Sequence, residues 1–109
     1  MHAYYILNAE GEPVRANNIT EWGSFFEDTE ARRVGFDILS GEVQVSTMFL
    51  GLDHSFNGPE PILWETMIFG GKLDNYQERC GGNRDDARRM HDAAVEKANA
   101  AYLEPYASA

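Results

Sequence analysis

The spacing of apolar residues predicts a chain built mainly from short strands, with a long helix near its C-terminal end. Residues 3–7 alternate loosely and are rich in tyrosine, which is typical of a strand. Glu10-Gly11 then makes a turn. Pro13-Val14-Arg15 is predicted to return as a short edge strand, where a proline is tolerated because no partner needs its missing N–H.

The clearest hairpin is predicted between residues 33 and 49. In its first strand the apolar residues Val34, Phe36 and Ile38 alternate with Arg33, Gly35 and Asp37. Ser40-Gly41 turns the chain, and the second strand carries its inner residues on one face: Val43, Val45, Thr47 and Phe49. From residue 46 to residue 52 apolar residues occur on both faces, which favours a central strand that is covered on both sides for part of its length.

Two more strands are predicted after a loop at 53–61. The first spans residues 62–69 and places on one face Ile62, Trp64, Thr66 and Ile68. Gly70-Gly71 ends it, and a shorter strand is expected at 76–80.

Two helices are predicted. The first begins after Thr20 as N-cap and runs to about Asp28, with Trp22, Phe25 and Phe26 on one face. The second begins after Asn83, carries a stripe at helical spacing (Ala87, His91, Ala94, Ala98 and Ala101) and ends at Glu104-Pro105. The pattern therefore predicts an α+β fold, a mostly antiparallel four- to six-stranded sheet with two helices packed on one face. Residues 1–104 would form a single domain and residues 105–109 a flexible tail.

Charge is the feature of composition that narrows the function. The 109 residues carry a formal net charge of −9, and the N-terminal half is the more acidic. Such a chain is repelled by phosphate backbones, so direct binding of nucleic acid or of an anionic membrane is disfavoured. An acidic surface is instead steered toward a partner protein with a basic surface, although solubility alone is a second explanation. The single cysteine, Cys80, allows no internal disulfide and suits a reducing cytoplasm.

Four residues could bind a transition metal such as zinc. Asp53 and His54 follow a central strand, Glu65 is a charge within an apolar strand, and His91 lies in the alanine stripe of the last helix. If that helix packs near the Asp53 loop, these N and O ligands converge. Each residue also has a structural interpretation: Asp53 bonded to backbone N–H groups in a turn, Glu65 in solvent or paired with an arginine, and His91 as a core histidine. Cys80 lies near a predicted helix N-terminus, which could lower the pKa of its thiol, but it is interpreted as a buried or incidental cysteine.

The first predicted helix has an aromatic face and an acidic remainder. If part of the aromatic face is exposed, it makes a protein-binding surface formed by Glu21, Trp22, Glu27, Asp28 and Glu30. The alternative is that the aromatic residues belong to the core.

Two segments in the middle of the chain carry a resemblance. Residues 45–54 read VSTMFLGLDH, and residues 61–71 read PILWETMIFGG. Together they resemble a family of small proteins carried by phages and prophages, often of actinobacteria, over roughly residues 20 to 100. The family has no assigned activity, so the resemblance implies only a context, a bacterial cytoplasm during phage infection or lysogeny.

Three hypotheses follow. The leading one is a non-enzymatic interaction protein of phage origin that needs no cofactor and occupies a basic surface of a host complex, with an anti-defence (anti-CRISPR type) inhibitor as the most economical version. The alternative is a small metal-binding protein or metal-dependent enzyme that uses Asp53, His54, Glu65 and His91. The third is a homodimer formed through an exposed sheet edge.

Overall fold

The computed structural model of the protein describes residues 3–40, 42–55 and 58–107. Its elements in chain order are β1 (Tyr5–Leu7), β2 (Pro13–Arg15), α1 (Ile19–Phe26), α2 (Thr29–Arg32), β3 (Arg33–Ile38), β4 (Gln44–Phe49), β5 (Trp64–Phe69), β6 (Tyr76–Cys80) and α3 (Arg84–Ala107). The fold is α+β, as predicted. No helix within the described residues is both long and apolar enough to span a bilayer.

The strands form two antiparallel sheets rather than one. β3, β4, β5 and β6 pair in that order, each with its neighbour along the chain, while β1 pairs with β2 in a separate hairpin. The hairpin joins the larger sheet through an isolated bridge between Tyr4 and Leu52 and through the bond from the Tyr5 N–H to the Gly51 carbonyl. Its strands are only three residues long, too short to extend the sheet further.

One face of the four-stranded sheet is covered by α3. Small side chains on the helix, Ala87, Ala94 and Ala98, are buried against the sheet, so the helix approaches it closely. The inner residues of β4 and β5 are those that the alternation predicts: Val45, Thr47, Phe49, Trp64, Thr66 and Ile68. The prediction of the alanine stripe in α3 is thus confirmed.

The hydrophobic core has a second contributor at one end of the sheet. There the buried residues Phe49 and Trp64 pack with Phe25 of α1 and with Tyr5 and Leu7 of the β1–β2 hairpin. The rings of Phe25 and Phe49 meet edge to face, with centroids 6.0 Å apart. The helices α1 and α3 and the β1–β2 hairpin therefore lie on one side of the larger sheet.

β3 presents its small and charged residues, not its apolar ones, to α3. Gly35 and Asp37 face the helix, whereas Phe36 and Ile38 point to the opposite side and are exposed. A bulge between Arg33 and Gly35 adjusts the register with β4. The expectation that this strand is central is confirmed, but coverage on both sides for part of its length is not seen within β4, whose buried residues all lie on one face.

The first helical segment differs from the prediction in two respects. α1 begins at Ile19 because Asn18, not Thr20, is the N-cap and accepts the Glu21 N–H. The short helix α2 follows, with Asp28 as its N-cap.

The start of α3 is as predicted, since Asn83 and Asp86 exchange side-chain to backbone hydrogen bonds. The expectation that α3 ends at Glu104-Pro105 is wrong, because the helix continues to Ala107. A proline removes a single backbone hydrogen bond, which a helix end can lose. Of the predicted tail, residues 108–109 lie outside the described residues.

Candidate functional site

The most distinctive polar cluster lies between α3 and the sheet. His91, fully buried in α3, has its Nε2 2.6 Å from the Oδ2 of Asp37 in β3 and its Nδ1 2.7 Å from the Oγ1 of Thr47 in β4. The Oγ1 of Thr47 lies 2.5 Å from that of Thr66 in β5. Four side chains on four elements thus form one continuous chain of hydrogen bonds, here called the buried polar chain.

When the imidazole is neutral, the positions of the hydrogens in the buried polar chain are determined. The carboxylate of Asp37 can only accept, so Nε2 of His91 carries the hydrogen and donates it. Nδ1 then accepts from the hydroxyl of Thr47, whose oxygen accepts from the hydroxyl of Thr66. Every donor in the chain finds an acceptor, which is what makes a buried polar network stabilising.

Gly35 makes this arrangement possible. A Cβ atom at this position would lie 2.8 Å from both Cδ2 and Nε2 of His91, closer than carbon atoms approach in proteins. The imidazole therefore lies directly on the backbone of β3, and only glycine leaves the space. From there it reaches Asp37 two residues further along the strand.

The geometry of the buried polar chain is suited to fixing the position of α3 on the sheet. A carboxylate, an imidazole and a hydroxyl in this order are the residue types of an activated nucleophile. Here, however, the hydroxyls of Thr47 and Thr66 are fully buried, and the member that reaches solvent is Asp37, whose side chain is 47% exposed. A substrate has no access to the hydroxyl end, so the chain serves to align α3 on the sheet.

The four predicted metal ligands do not come together. Oε2 of Glu65 accepts hydrogen bonds from Gln77 (2.5 Å) and Arg79 (2.8 Å) on the face of the sheet that points away from α3. Its neighbour Thr66 belongs to the buried polar chain, so the sheet separates Glu65 from His91. Among residues 3–40, 42–55 and 58–107 no three histidine, cysteine or carboxylate side chains form a group that could hold a metal.

The structural interpretations of these residues are confirmed instead. Oδ1 of Asp53 accepts the N–H groups of Ser55 (2.8 Å) and Ile62 (3.0 Å), and Nδ1 of His54 lies 2.8 Å from the carbonyl oxygen of Leu52. Asp53 thereby fastens the two ends of the loop that joins β4 to β5. Glu65 pairs with an arginine across the sheet, and His91 is a core histidine.

The loop-fastening role of Asp53 has a pH dependence. Hydrogen bonds from the N–H of Ile62 above all, and from Ser55, hold the pKa of the Asp53 carboxyl below its usual 3.8. Because the folded-state pKa is depressed, the stabilisation is present above the usual value and is lost as the pH falls through the folded-state value. We expect Asp53→Ala to lower the free energy of unfolding at neutral pH and to do so progressively less in acid. Urea denaturation of the wild type and of Asp53→Ala, from neutral to acidic pH, measures the difference in their free energies of unfolding. A difference that does not change with pH would contradict this expectation.

The surroundings of Cys80 disfavour a reactive thiol. Partial burial raises its pKa, and the nearby carboxylates of Asp86 and Glu78 raise it further. The thiol is therefore protonated at neutral pH, and thiolate chemistry is disfavoured.

The acidic residues predicted to bind protein lie around α1 and α2. Glu27, Asp28 and Glu30 are exposed and Glu21 is half-buried; these four residues are here called the α1–α2 acidic surface. Glu30 forms an ion pair with Arg33 (2.9 Å), Asp28 caps α2, and Glu21 accepts the Asn17 N–H (2.8 Å).

The aromatic residues of α1 are used within the protein. The indole N–H of Trp22 donates to the carbonyl of Gly51 (3.0 Å), and its ring stacks on Phe26 at a centroid distance of 4.7 Å and meets Tyr4 edge to face. Phe25 packs into the core. Trp22 therefore anchors α1 to the sheet beneath the carboxylates.

Arg32 completes this anchoring. Its guanidinium donates to the carbonyls of Phe49 (3.0 Å) and Phe26 (3.2 Å) and lies 3.9 Å above the ring of Phe26. Burial lowers its pKa. The end of α1, α2 and β4 are thus tied together, and the α1–α2 acidic surface stands on a fixed support.

Comparison with known proteins adds no relative. No protein-family model, curated protein or solved structure matches the chain. The functional interpretation therefore depends on the geometry and charge of the molecule itself.

Proposed function

We propose that the chain is a non-catalytic protein-binding module that occupies a basic surface of a partner protein through the α1–α2 acidic surface. The supporting observation is how the charged side chains are used. Every arginine contacts a partner inside the molecule: Arg15 the ring of Tyr5, Arg32 and Arg84 backbone carbonyls, and Arg33, Arg79, Arg88 and Arg89 carboxylates. Four of the seven arginines are thus paired with carboxylates, and the other three contact uncharged groups of the protein.

Many carboxylates, by contrast, face solvent without a cation. Within the described residues no hydrogen-bond or ion-pair partner contacts the side chains of Glu10, Glu27, Glu42, Glu60, Asp85 and Glu96. The density of acids is highest between residues 21 and 30, where four occur and no basic residue lies among them. A basic partner would therefore meet a preorganised negative surface there, which favours fast and specific association.

The resemblance to phage-carried proteins supports a proposal about where the protein acts and on what kind of partner. Host complexes that handle nucleic acid present basic surfaces, and a small acidic protein can block one without imitating the nucleic acid in full. An inhibitor of a host defence complex, of anti-CRISPR type and acting in the bacterial cytoplasm, is the most economical version.

Charge reversal tests the proposal. We expect wild-type protein to retain a partner from bacterial lysate at physiological salt, and Glu27→Lys/Glu30→Lys to bind that partner roughly tenfold or more weakly. Binding should also weaken as salt is added, because the attraction is screened. Quantitative pull-down followed by affinity measurement with the recovered partner provides the values.

The matched control is Glu10→Lys/Glu96→Lys, which changes the net charge equally on other surfaces and also replaces exposed carboxylates. It should bind nearly as well as wild type. Equal loss in both double variants would show that net charge alone matters, and recovery of no partner by the wild type would count against the module altogether.

The alternative that the sequence predicts is metal binding by Asp53, His54, Glu65 and His91, although the sheet separates Glu65 from His91. Elemental analysis of protein purified without a histidine tag tests it. A transition metal present in a stoichiometric amount relative to the protein would support this alternative.

A further inference from the structure

The face of the four-stranded sheet opposite α3 carries apolar side chains on β3 and β5, with the polar residues Gln44 and Ser46 of β4 between them. Its apolar side chains are Phe36, Ile38, Met48, Met67 and Phe69, here called the open sheet face. Ile38 is 68% exposed, and Phe36 and Phe69 are each 41% exposed. Three large apolar side chains exposed on one face of a small domain indicate a contact surface rather than scattered exposure.

The open sheet face differs from the rest of the surface in charge. The carboxylate that lies on it, Glu65, is bound by Arg79 and Gln77. Arg33 lies on the same face, with its guanidinium carbon 5.3 Å from the centre of the Phe36 ring, and is paired with Glu30. On a chain of net charge −9, this face is close to neutral.

This charge pattern indicates which kind of molecule packs on the open sheet face. A basic partner gains little from this face, because the carboxylate of Glu65 is already paired with Arg79. Two copies of an acidic chain repel one another least where their contact surfaces carry no unpaired carboxylate. The open sheet face meets that condition, and an apolar patch is complementary to itself, as a two-fold symmetric interface requires.

Pairing through the edge strand β3 is the less suitable route to a dimer. At β3, Arg84 donates to the backbone carbonyl of Arg33 (2.8 Å) and Arg88 to that of Val34 (3.4 Å). These bonds occupy acceptors that an added strand would need. At β3, therefore, the dimer that the sequence predicts through a sheet edge is better accommodated on the face.

We propose that the open sheet face is a self-association surface, on which a second copy of this chain packs face to face. Four strands of about six residues give a face of about 400 Å² in plan. A standard stable interface buries about 800 Å² on each partner. The dimer is therefore weak and forms as concentration rises. This inference is independent of the proposed binding to a basic partner.

Sedimentation equilibrium from micromolar to millimolar protein, at low and high salt, tests the proposal. The wild-type mass should rise from monomer toward dimer, and the dimer should be favoured by salt, because salt screens the repulsion between the two acidic copies. Binding of a basic partner has the opposite salt dependence, so the two associations are distinguishable.

Two variants and a control locate the contact. Ile38→Glu should weaken self-association at least about tenfold, and Phe69→Lys should do so too, since either charge is costly in an apolar contact. Ile19→Glu is the matched control, because Ile19 is also exposed (58%) but lies at the start of α1; it should associate like wild type. A wild type that is monomeric at every concentration, or a dimer unaffected by both sheet-face variants, would overturn the proposal.

Discussion

Replacing Gly35 with alanine is expected to lower the free energy of unfolding by about 2 kcal/mol or more, although alanine normally suits a strand better than glycine does. The reason is local: the added Cβ would occupy the position 2.8 Å from the His91 ring. The imidazole must tilt or α3 must move away, and either change lengthens the hydrogen bonds to Asp37 and Thr47. Urea denaturation followed by circular dichroism measures the loss.

Gly23 supplies the control for this prediction. It lies in α1, and a Cβ there would meet nothing within 4 Å. Gly23→Ala should therefore stabilise the protein by roughly 0.5–1 kcal/mol through helix propensity. The same substitution is thus expected to have opposite signs at the two positions. A neutral or stabilising Gly35→Ala would contradict the close packing of His91 on β3.

Replacing His91 with leucine is expected to cost about 3 kcal/mol, even though the two side chains are similar in size. The substitution removes the donor to Asp37 and the acceptor for the Thr47 hydroxyl. Thr47 and Thr66 can still bond to each other, but one buried hydroxyl hydrogen is then left without an acceptor. The loss is measured by the same denaturation experiment.

A second variant separates this effect from simple packing. Adding Thr47→Val and Thr66→Val to His91→Leu removes both hydroxyls, including the one left without an acceptor, while keeping the shape of the core. Part of the lost stability should therefore return. If the triple variant is less stable than His91→Leu alone, the buried polar chain is not what stabilises the packing of α3. An unchanged stability of His91→Leu would lead to the same conclusion.

The strands of the larger sheet could be predicted because their inner faces are nearly uniform. Val45 and Phe49 in β4, and Trp64 and Ile68 in β5, repeat at the spacing that a sheet requires. The alanines of α3 likewise indicated the close approach of that helix. These patterns depend on the spacing of apolar residues along the chain, which can be read directly from the sequence.

The buried polar chain could not be predicted as a unit, because its members come from four elements. The signal was weak but present: Thr47 and Thr66 are polar residues in phase with the inner apolar residues, and His91 lies in the stripe that faces them. Their pairing depends on the register of β4 against β5, which places Thr47 opposite Thr66. Asp37 was missed because Phe36 and Ile38 made the other face of β3 look like the inner one.

The metal hypothesis also depended on residues from different elements, whose positions relative to one another the sequence does not show. Glu65 and His91 carry suitable ligand atoms, but the side-chain alternation of β5 directs Glu65 away from the helix that holds His91. A sequence shows which ligands exist, while the face on which each lies depends on the pairing of the sheet.

The most direct test of binding through the α1–α2 acidic surface is site-specific photo-cross-linking in bacterial lysate at physiological salt. A photoreactive residue at position 27 should capture a partner protein, and the cross-linked peptides should map to a lysine- and arginine-rich surface of that protein. A photoreactive residue at position 96, on the outer side of α3, should capture much less. Capture from position 96 alone, or attachment from position 27 to surfaces without basic residues, would contradict binding by this part of the molecule.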